Sequence, residues 1–506
     1  MKLFGAAQMR ELDAFAINTL GIPGAALMRR AACHVSDAAV ELLANTDKCG
    51  VVVFCGVGNN GGDGVGAAAN LMREGITARV FFIGDHDKMS PDSKEMERRL
   101  FEYGGVVEAF DAQVAANAVN GCGVIIDAIF GTGLTRSVTG ASLEAIAIIN
   151  NSAAAVVAAD IPSGIHADTG EILGACVSAD ITVTFSAAKP GLFLTPGAVY
   201  AGDIRVCDIG IPSELLSGMK SDVVAVTNGD ITLPKRPRDS HKGDFGRALI
   251  VAGSLGYSGA PYMAAAACSR AGAGLVLLGV PDGIYSILAQ KCTGEMPFSL
   301  TGGETVSEDA WDELQPRVKT VDAILIGPGM RNTTGTKVIV ENTLREAIAP
   351  VILDADGINA LAGNIDILDN AKAPVILTPH DGEFARIAGV IPSGQRLAAA
   401  CDFAEKHGCV VILKGYRTIT ALPDGTAYIN TTGNPGMAKG GSGDVLAGML
   451  TAFIAQGFPV KDACVAAVYL HGLAGDIAAA RLGEYSVMPE DMLGTISQAF
   501  LSVISE

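Results

Sequence analysis

The sequence predicts an α/β protein in which two parallel-sheet domains follow one another along the chain. Short, wholly apolar segments such as VVVFCG at Val51 and VVIL at Val410 have the length and composition of strands buried on both faces. Such segments recur through both halves and end in loops that contain Gly, Asp or Pro, which is the rhythm of βαβ units. Because 506 residues exceed what one hydrophobic core usually supports, at least two domains are expected.

Composition narrows the class of function. A net charge of -18 argues against a nucleic-acid backbone as partner but leaves small anionic ligands open. No uninterrupted apolar run has the length of a membrane span, and Arg10, Glu11 and Asp13 stand where a signal peptide needs apolar residues. The 11 Cys form no C-x-x-C pair and the 7 His no H-E-x-x-H, so neither disulfides nor zinc are indicated. A cytoplasmic protein with no nucleic-acid and no membrane partner is expected.

Two stretches are assigned to the scaffold. Residues 1–48 read as two helices, and the first carries an apolar stripe at helical spacing formed by Leu12, Phe15, Ala16 and Leu20. Near the C-terminus, VAAVYLHGLAGDIAAA reads as a helix that packs in a core. Neither stretch is expected to contribute to a site.

The N-terminal half predicts a site at the ends of its strands. The strand VVVFCG is followed by VGNNGGDGVG, a helix and a second strand, ARVFFIG, and further strands at 124–127 and 155–160 end in Asp127 and Asp160. Ligands of open parallel sheets bind outside the carboxyl ends of the strands. The segment 59–63 and the two aspartates are therefore expected to converge.

The patterning weakens between Ile211 and His241, where LPKRPRDSHKGD brings prolines and basic residues together. A domain boundary is expected near residue 225, between a first domain over 1–215 and a second over 225–506. The second domain repeats the α/β rhythm in the segments ALIVAG, GLVLLGV, AILIGPG, VILDADG, VILTPH and VVILKG.

The stretch NTTGNPGMAKGGSGDVLAG at residues 430–448 is the strongest local signal in the second domain. Its glycines precede a helix whose N-terminal N–H groups would bind anionic oxygens such as phosphate. The helix would bury an apolar face made of Val445, Leu446, Met449, Leu450 and Phe453. Asp444 in the first turn could be a favourable partner of the helix dipole, but among phosphate-binding amides a carboxylate is better explained as a base or a hydroxyl ligand.

The first domain allows two interpretations of its glycine-rich loop. Gly56, Gly58 and Gly61 satisfy G-x-G-x-x-G, and Asp85 follows the second strand, so a Rossmann dinucleotide site is one of them. That pattern explains neither the paired asparagines nor Asp63. In the other interpretation, oxygens from three strand ends suit potassium or a similar cation, and the ligands are Asn60, Asp127 and Ser163.

The motifs GNNGGDG, DAIFGTGL and DIPSG resemble the N-terminal domain of the bifunctional NAD(P)H-hydrate repair enzymes, over residues 1–215. The resemblance implies a Rossmann-like α/β/α sandwich that epimerises the R and S hydrates of NADH and NADPH (NADHX and NADPHX). It implies K⁺ held by Asn60, Asp127 and Ser163, with Asp160 as acid/base group. The hydrate would bind Asn59, Asn60, Gly61, Gly62, Asp63, Gly131, Thr132, Gly133, Leu134, Thr135, Arg136, Ser137 and Asp160.

Residues 225–506 resemble the partner domain, the ADP-dependent NAD(P)H-hydrate dehydratase, which has a ribokinase-like fold. The matching pieces are HKGDFG, GYSGA, AGAGLV, IGPG, LDADGINAL, TPHDGE, KGYRT and GNPGMAKGGSGDVLAG. The resemblance implies that the adenine nucleotide binds Lys414, Gly415, Tyr416, Arg417, Thr418 and Gly443. It implies that the hydrated nicotinamide binds Ala260, Gly329, His380 and Asp444.

Three residues of the second domain carry open questions. His380 could be hydrogen-bonded only to its own loop, but its place after the strand VILTP favours a role in the site. Lys439 and Arg331 depart from the family pattern, since a small or hydroxyl residue and a second glycine are expected there. Both add positive charge and could alter nucleotide contacts.

The resemblance implies a reaction in which ADP, with Mg²⁺, phosphorylates the ring hydroxyl and phosphate then leaves, giving NAD(P)H and AMP. Two other functions stay open from the residues alone: a Rossmann oxidoreductase fused to a small-molecule kinase, and a non-catalytic nucleotide-binding scaffold. A homo-oligomer is expected. The sequence does not distinguish NADH from NADPH hydrate or ADP from ATP, and it does not give the number of subunits or any communication between the sites.

Overall fold

A computed structural model describes residues 1–389 and 394–504. The chain divides into two compact units, one over Lys2–Val223 and the other over Val224–Glu506 together with Met1. The division falls close to residue 225, where the sequence loses its regular patterning. We refer to the two as the N-terminal and C-terminal units.

The N-terminal unit contains a sheet of seven strands whose recorded pairings are all parallel, in the order β3-β2-β1-β4-β5-β6-β7. The order reverses at β1, which pairs with both β2 and β4, so the carboxyl ends of β1 and β4 border a crevice. The strands are Val51–Gly56 (β1), Ala78–Ile83 (β2), Val107–Ala109 (β3), Val124–Ala128 (β4), Ala155–Ala159 (β5), Ile181–Phe185 (β6) and Asp203–Cys207 (β7).

Helices cover both faces of this sheet. Alternate residues of β1 belong to different cores: Val51 and Val53 pack with α1 to α4, while Val52 and Phe54 pack with α5 and α6. The predicted α/β/α sandwich is therefore confirmed. The helices are Ala6–Asn18 (α1), Gly24–Leu43 (α2), Asn59–Arg73 (α3), Pro91–Glu102 (α4), Ala112–Gly121 (α5), Ala141–Asn150 (α6) and Ser213–Gly218 (α7).

The predicted stripe on α1 is wrong in two positions. Leu12 and Ala16 are buried, but Phe15 and Leu20 are 42% and 44% exposed. The buried face of α1 also includes Ala6 and Met9, so it is rotated towards the N-terminal side of the predicted stripe. Because of this rotation, Asp13, a polar residue between Met9 and Ala16, is partly buried within the N-terminal unit.

The C-terminal unit contains a sheet of ten strands in the order β11-β10-β9-β12-β13-β14-β15-β16-β17-β8. Pairing is parallel from β9 to β15 and antiparallel from β15 to β17. The strands are Val223–Ala225 (β8), Arg247–Val251 (β9), Leu275–Pro281 (β10), Met296–Leu300 (β11), Ala323–Ile326 (β12), Val351–Leu353 (β13), Val375–Leu377 (β14), Val410–Leu413 (β15), Ile419–Ala421 (β16) and Ala427–Ile429 (β17).

Ten helices of this unit surround the sheet in the described part of the chain. They are Gly259–Arg270 (α8), Asp282–Lys291 (α9), Ala310–Val318 (α10), Thr334–Glu346 (α11), Asp356–Asn359 (α12), Asp381–Ala388 (α13), Arg396–His407 (α14), Ser442–Ala455 (α15), Val460–Leu482 (α16) and Pro489–Ile504 (α17). The predicted apolar face of α15 is confirmed, since all five of its residues are at most 3% exposed.

Helix α16 bears on the expectation that no apolar run has the length of a membrane span. By length and composition alone, this helix is long and apolar enough to cross a membrane. Within the protein, 72% of its apolar window is buried. Its residues contribute to the same core as α8 and α15, which confirms the predicted packing helix.

We predict that the two units fold independently, because each has its own sheet and its own hydrophobic clusters. A fragment over Val224–Glu506 should unfold cooperatively, at a temperature within a few degrees of one transition of the whole chain. Differential scanning calorimetry of the fragment and the whole chain measures this. A fragment that aggregates or melts without a transition would contradict the prediction.

Candidate functional sites

A cavity of about 780 Å³ opens at the carboxyl ends of the N-terminal strands. Its wall is built by the loops that follow β1, β4, β5 and β6, together with the start of α3 and residues of α1 and α2. Ten of the predicted hydrate-binding residues line it: Asn59, Asn60, Asp63, Gly131, Thr132, Gly133, Leu134, Thr135, Arg136 and Asp160. The structure thus brings together residues that the sequence places on separate strand ends.

Three predicted hydrate-binding residues lie outside this wall. A Cβ on Gly61 would stand 1.9 Å from the carbonyl oxygen of Gly56, and a Cβ on Gly62 would stand 2.7 Å from Sδ of Met28. These two glycines let α3 approach its neighbours closely and do not face the cavity. Ser137 is exposed beyond the end of the lining segment.

Asn60 is the least satisfied polar group of the cavity. Its side chain is 8% exposed, and neither amide atom has a hydrogen-bond partner within residues 1–389 and 394–504. An unsatisfied buried polar group costs about 1–3 kcal/mol, so a buried amide in this state indicates a missing ligand.

Asp127 and Ser163 are bonded to one another at the ends of their strands. The Ser163 hydroxyl donates to Oδ1 of Asp127 at 2.6 Å and the Ser163 amide donates to Oδ2 at 2.7 Å. Burial raises the pKa of Asp127 to about 6, against the opposing effect of the two bonds from Ser163. Neither residue lines the cavity, but the amide of Phe130, which does, donates to Oγ of Ser163 at 2.8 Å. The described residues contain no cluster of three His, Cys, Asp or Glu for a metal.

Asp160 lines the cavity with a strained backbone, since its φ is 64°. Its Oδ1 accepts a hydrogen bond of 2.5 Å from Nζ of Lys189, whose side chain is 1% exposed. The same ammonium donates to Oγ1 of Thr184 at 2.9 Å and to the carbonyl oxygen of Phe185 at 3.2 Å. Asp160 is therefore held as one half of a buried ion pair.

Two more carboxyl groups share this environment. Burial and the Asp160 charge raise the pKa of Asp63 well above its ordinary value. Burial raises the pKa of Asp13 to about 6, with Lys189 opposing and Asp160 adding to the rise. Asp13 lies on α1, a helix that the sequence assigns to the scaffold, and that assignment is wrong because α1 forms part of the cavity wall.

The Rossmann interpretation of the loop is not supported by Asp85, the residue it would need for ribose. Asp85 does not line the cavity; its Oδ1 accepts from the amide of Asp87 at 3.2 Å and its carboxylate pairs with Lys88. Its role is to cap a short turn on the surface.

In the C-terminal unit, a cluster of charged side chains lies at the carboxyl ends of β13, β14 and β15. Nζ of Lys414 lies 2.7 Å from Oδ1 of Asp354 and 3.9 Å from Oε2 of Glu383. Thr378 donates to the same oxygen of Asp354 at 2.7 Å. Asp354 and Glu383 stand within the quoted motifs LDADGINAL and TPHDGE, but sequence reasoning did not single them out.

Asp444 lies against this group from the first turn of α15. Its pKa is raised to about 7 by burial and by the charge of Asp354, with Lys414 acting in the opposite direction. Burial lowers the pKa of Lys414, but the charges of Asp354, Glu383 and Asp444 outweigh it and raise the pKa overall. Lys414 therefore stays an ammonium while Asp444 exchanges its proton near neutral pH.

The start of α15 lies close to Lys414. A Cβ on Gly443 would stand 3.4 Å from Nζ of Lys414, and Gly441 takes a φ of 106° that favours glycine. Beneath this turn, Nε2 of His471 lies 2.9 Å from the carbonyl oxygen of Ser442. Burial lowers the pKa of His471 to about 4, so the ring is neutral and donates this bond.

The remaining predicted nucleotide residues form the turn after β15. Oγ1 of Thr418 donates to the carbonyl oxygen of Gly415 at 3.0 Å, which closes the turn. Tyr416 is 50% exposed, and the guanidinium of Arg417 lies 5.2 Å from the centre of its ring. The turn thus presents an aromatic ring and a cation next to Lys414.

The other predicted residues for the hydrated nicotinamide come from the first turn of α8 and from the loops that follow β12 and β14. A Cβ on Gly329 would stand 3.2 Å from Cβ of Ala260, so these two lie together. His380 caps α13, because its Nδ1 accepts from the amides of Gly382 at 2.9 Å and Glu383 at 3.3 Å. The structural role considered for His380 is therefore present. A backbone β-bridge between His380 and Lys414 also places His380 at the carboxyl ends of the strands.

The two residues that depart from the family pattern use their charges locally. Nζ of Lys439 donates to the carbonyl oxygens of Tyr485 and Val487, at 2.8 and 2.5 Å. Arg331 donates to the carbonyl oxygen of Leu255 at 2.8 Å. These bonds anchor loops, and the effect of the two cations on nucleotide contacts stays a prediction.

Comparisons with known proteins match both units. A family model described as YjeF-related protein N-terminus matches residues 24–191, and one described as NAD(P)H-hydrate dehydratase matches residues 248–498. A bifunctional NAD(P)H-hydrate repair enzyme Nnr from Moorella thermoacetica is 39% identical over 505 residues, which cover 97% of this chain and 95% of the relative. The enzyme of the same name from Thermofilum pendens is 37% identical, with coverage of 99% and 96%.

A solved structure matches the C-terminal unit. It is a ribokinase-like superfamily protein from Enterococcus faecalis V583, with 30% identity and a TM-score of 0.50. The match covers 56% of this chain and 98% of that one. The predicted ribokinase-like fold is confirmed.

We predict that Asp444 lowers stability as it ionises. Its folded-state pKa of about 7 lies above the ordinary value of 3.8, so the folded state binds more protons between these values and stability falls as pH rises through them. Asp444→Asn should raise the free energy of unfolding of the C-terminal unit by roughly 1–3 kcal/mol at pH 8 and leave it unchanged near pH 4. Urea unfolding at both pH values measures the difference. Exposed Asp462→Asn is the control, and equal effects of the two variants would contradict the prediction.

Proposed function

Because this chain belongs to the family of bifunctional NAD(P)H-hydrate repair enzymes, we propose that it restores NADHX and NADPHX to NADH and NADPH. The N-terminal unit interconverts the R and S hydrates. The C-terminal unit dehydrates the S hydrate with ADP and produces AMP and phosphate. Because the R hydrate is converted to the S hydrate, one dehydratase site can restore both epimers. This accounts for two sites on one chain.

The observation that carries the dehydratase assignment is the cluster of Lys414, Asp354 and Asp444 beside the start of α15. Hydroxide is a poor leaving group, whereas phosphate leaves readily once the ring hydroxyl is phosphorylated. The terminal phosphoryl group of ADP moves to the hydroxyl oxygen and AMP departs. Phosphate then leaves with its C–O bond electrons while the adjacent ring carbon loses a proton, which restores the ring double bond. The reaction therefore needs a proton acceptor and positive or donor groups for phosphate.

Each need is met by a described group. A carboxyl with a pKa of about 7 can accept the hydroxyl proton at neutral pH, and Asp444 is that group. Lys414 supplies a fixed positive charge, and the N-terminal amides of α15 supply neutral donors. The exposed ring of Tyr416 and the neighbouring Arg417 offer a stacking surface for adenine.

The residues around Lys414 fit Mg²⁺ only together with a nucleotide. Asp354 and Glu383 are engaged by the lysine and Asp444 is assigned to proton transfer, which leaves the nucleotide phosphates as the hard oxygen ligands. Bound Mg²⁺ would neutralise charge on the phosphates. ADP is the proposed phosphoryl donor, and the structure contains no feature that excludes ATP in the described residues.

The oxygen donors of Asn60, Asp127 and Ser163 suit K⁺, although only Asn60 of the three lines the cavity. Asn60 has an unsatisfied buried amide, and Asp127 is a buried carboxylate with Ser163 beside it. K⁺ bound there would supply the counter-charge for Asp127 and hold the Asn60 loop. Asp160, which lines the same cavity, is the proposed acid/base group. Action in the cytoplasm as a homo-oligomer stays a prediction.

Asp444→Asn tests the chemical role. The variant keeps the shape of the helix start and removes the base, so ADP should still bind while dehydration of the S hydrate falls about 100-fold or more. ADP affinity by calorimetry and NADH recovery by absorbance measure the two effects. Asp462→Asn serves again as the control. Near-normal turnover by a folded Asp444→Asn protein would overturn the assignment.

Asn60→Ala tests the cation site. The side chain makes no hydrogen bond to the described protein, so its removal should leave the melting temperature close to that of the wild type. Epimerisation should lose its dependence on K⁺ and slow by at least about 10-fold, since the fixed cation helps to set the loop geometry. Rates in K⁺ and in tetramethylammonium salts, with and without the substitution, measure this. An unchanged K⁺ response in the variant would sink the proposed ligand set.

A further inference from the structure

We propose that Lys189 is a positioning residue of the epimerase site, which supplies the counter-charge of Asp160 and anchors one oxygen of its carboxylate so that the other oxygen can serve the substrate. The proposal rests on the epimerase role proposed above for the N-terminal unit. It adds one residue, Lys189, that the sequence motifs do not include.

The geometry of the ammonium is the first support. Lys189 follows β6 in the segment SAAKPG, and its side chain folds back so that Nζ bonds the carbonyl oxygen of Phe185 at the end of the same strand. Thr184 accepts from this ammonium at 2.9 Å and donates to Oδ1 of Asp160 at 3.2 Å. The ammonium is thereby fixed against β6 and cannot leave Asp160 without breaking three bonds.

The pattern of bonds on Asp160 is the second support. Lys189, Thr184 and the amide of Phe185 all donate to Oδ1. In the described part of the chain no hydrogen bond involves Oδ2. One oxygen therefore anchors the carboxylate, and the other remains available for a substrate in the cavity that Asp160 lines.

A count of charges is the third support. Three carboxyl groups from α1, α3 and the end of β5 face one ammonium in a mostly buried setting. If all three were ionised, two negative charges would remain uncompensated, and burial makes such charge costly. Asp160 makes the direct ion pair, and the pKa values of the other two carboxyls are raised, well above the ordinary value for Asp63 and to about 6 for Asp13.

The other charged groups of the cavity wall do not replace Lys189. Arg10, Asp92 and Arg136 also line it, from α1, α4 and the loop after β4. Arg10 and Arg136 are exposed, whereas Lys189 is 1% exposed. Inversion of the carbon that bears the hydroxyl, in either direction, needs groups that accept and return protons. The cavity provides two such carboxyls: Asp160, which is ion-paired, and Asp63, whose raised pKa favours the protonated form.

Lys189→Ala tests the inference. The rate of R-to-S conversion, followed without ADP so that the dehydratase stays idle, should fall about 100-fold or more. The variant lacks the positive charge that pairs with Asp160 in the wild type, so the remaining activity should need higher pH than that of the wild type. Added methylammonium should restore part of the rate by entering the space of the lost side chain. Exposed Lys88→Ala is the control and should behave as the wild type.

The outcomes separate the two proposals. A wild-type protein that does not interconvert the epimers would refute the proposed function itself. A wild type that is active and a Lys189→Ala protein with the same rate and pH profile would refute only the role of Lys189. A folded variant that is slow at every pH to the same extent and is not rescued by methylammonium would also refute it.

A second variant covers the case in which Lys189→Ala does not fold. Thr184→Val keeps the side-chain shape but removes the hydroxyl that links the ammonium to Asp160. Its pH profile should move in the same direction by a smaller amount, with a reduced rate. An unchanged rate and an unchanged profile would overturn the inference. Dehydration of the S hydrate with ADP, measured on the same samples, checks that the rest of the chain is intact.

Discussion

Each unit contains a buried ammonium that faces three carboxyl groups, more than its single positive charge can neutralise. The chemistry of both sites depends on this imbalance. Lys189 faces Asp160, Asp63 and Asp13, and Lys414 faces Asp354, Glu383 and Asp444. In each case the carboxyl in direct contact with the ammonium is its ion-pair partner. Burial raises the pKa values of Asp63, Asp13 and Asp444, which stand farther from the ammonium, so proton exchange by Asp13 and Asp444 near neutral pH is a consequence of the packing.

The parallel sheets explain why such clusters form. In both units the strand order reverses beside the first strand of the parallel set, and the carboxyl ends of adjacent strands bring loops from distant parts of the sequence to one edge. Asp127 lies at the end of β4 and Asp160 follows β5, while Asp354 and Lys414 follow β13 and β15. The strands themselves are almost fully apolar, so their ends are the first positions at which a polar group can reach solvent or a ligand.

Sequence reasoning predicted the parts of the structure that depend on local pattern. The buried strands, the helix after the glycine-rich loop and the residues on the rim follow from apolar runs and from the residues that end them. It missed Lys189 and Asp13, since a lysine in a loop and an aspartate on an amphipathic helix ordinarily face solvent. Their burial depends on the rotation of α1 and on the return of the chain after β6. The edge strands β3 and β8 have only three residues each, too few for a period to be seen.

The excess of carboxyl groups also bears on how an acidic chain can bind anionic ligands. With a net charge of -18, the protein as a whole repels phosphates, so attraction has to be local. Three features supply it: the N-terminal amides of α3 and α15, the fixed ammonium of Lys414, and a protonated Asp444 in place of a third negative charge. Cations bound with the ligand would add a fourth. Ligand binding and proton transfer are then coupled, because a phosphate group near Asp444 raises its pKa further while Mg²⁺ lowers it, and the balance sets how readily the carboxylate accepts the hydroxyl proton.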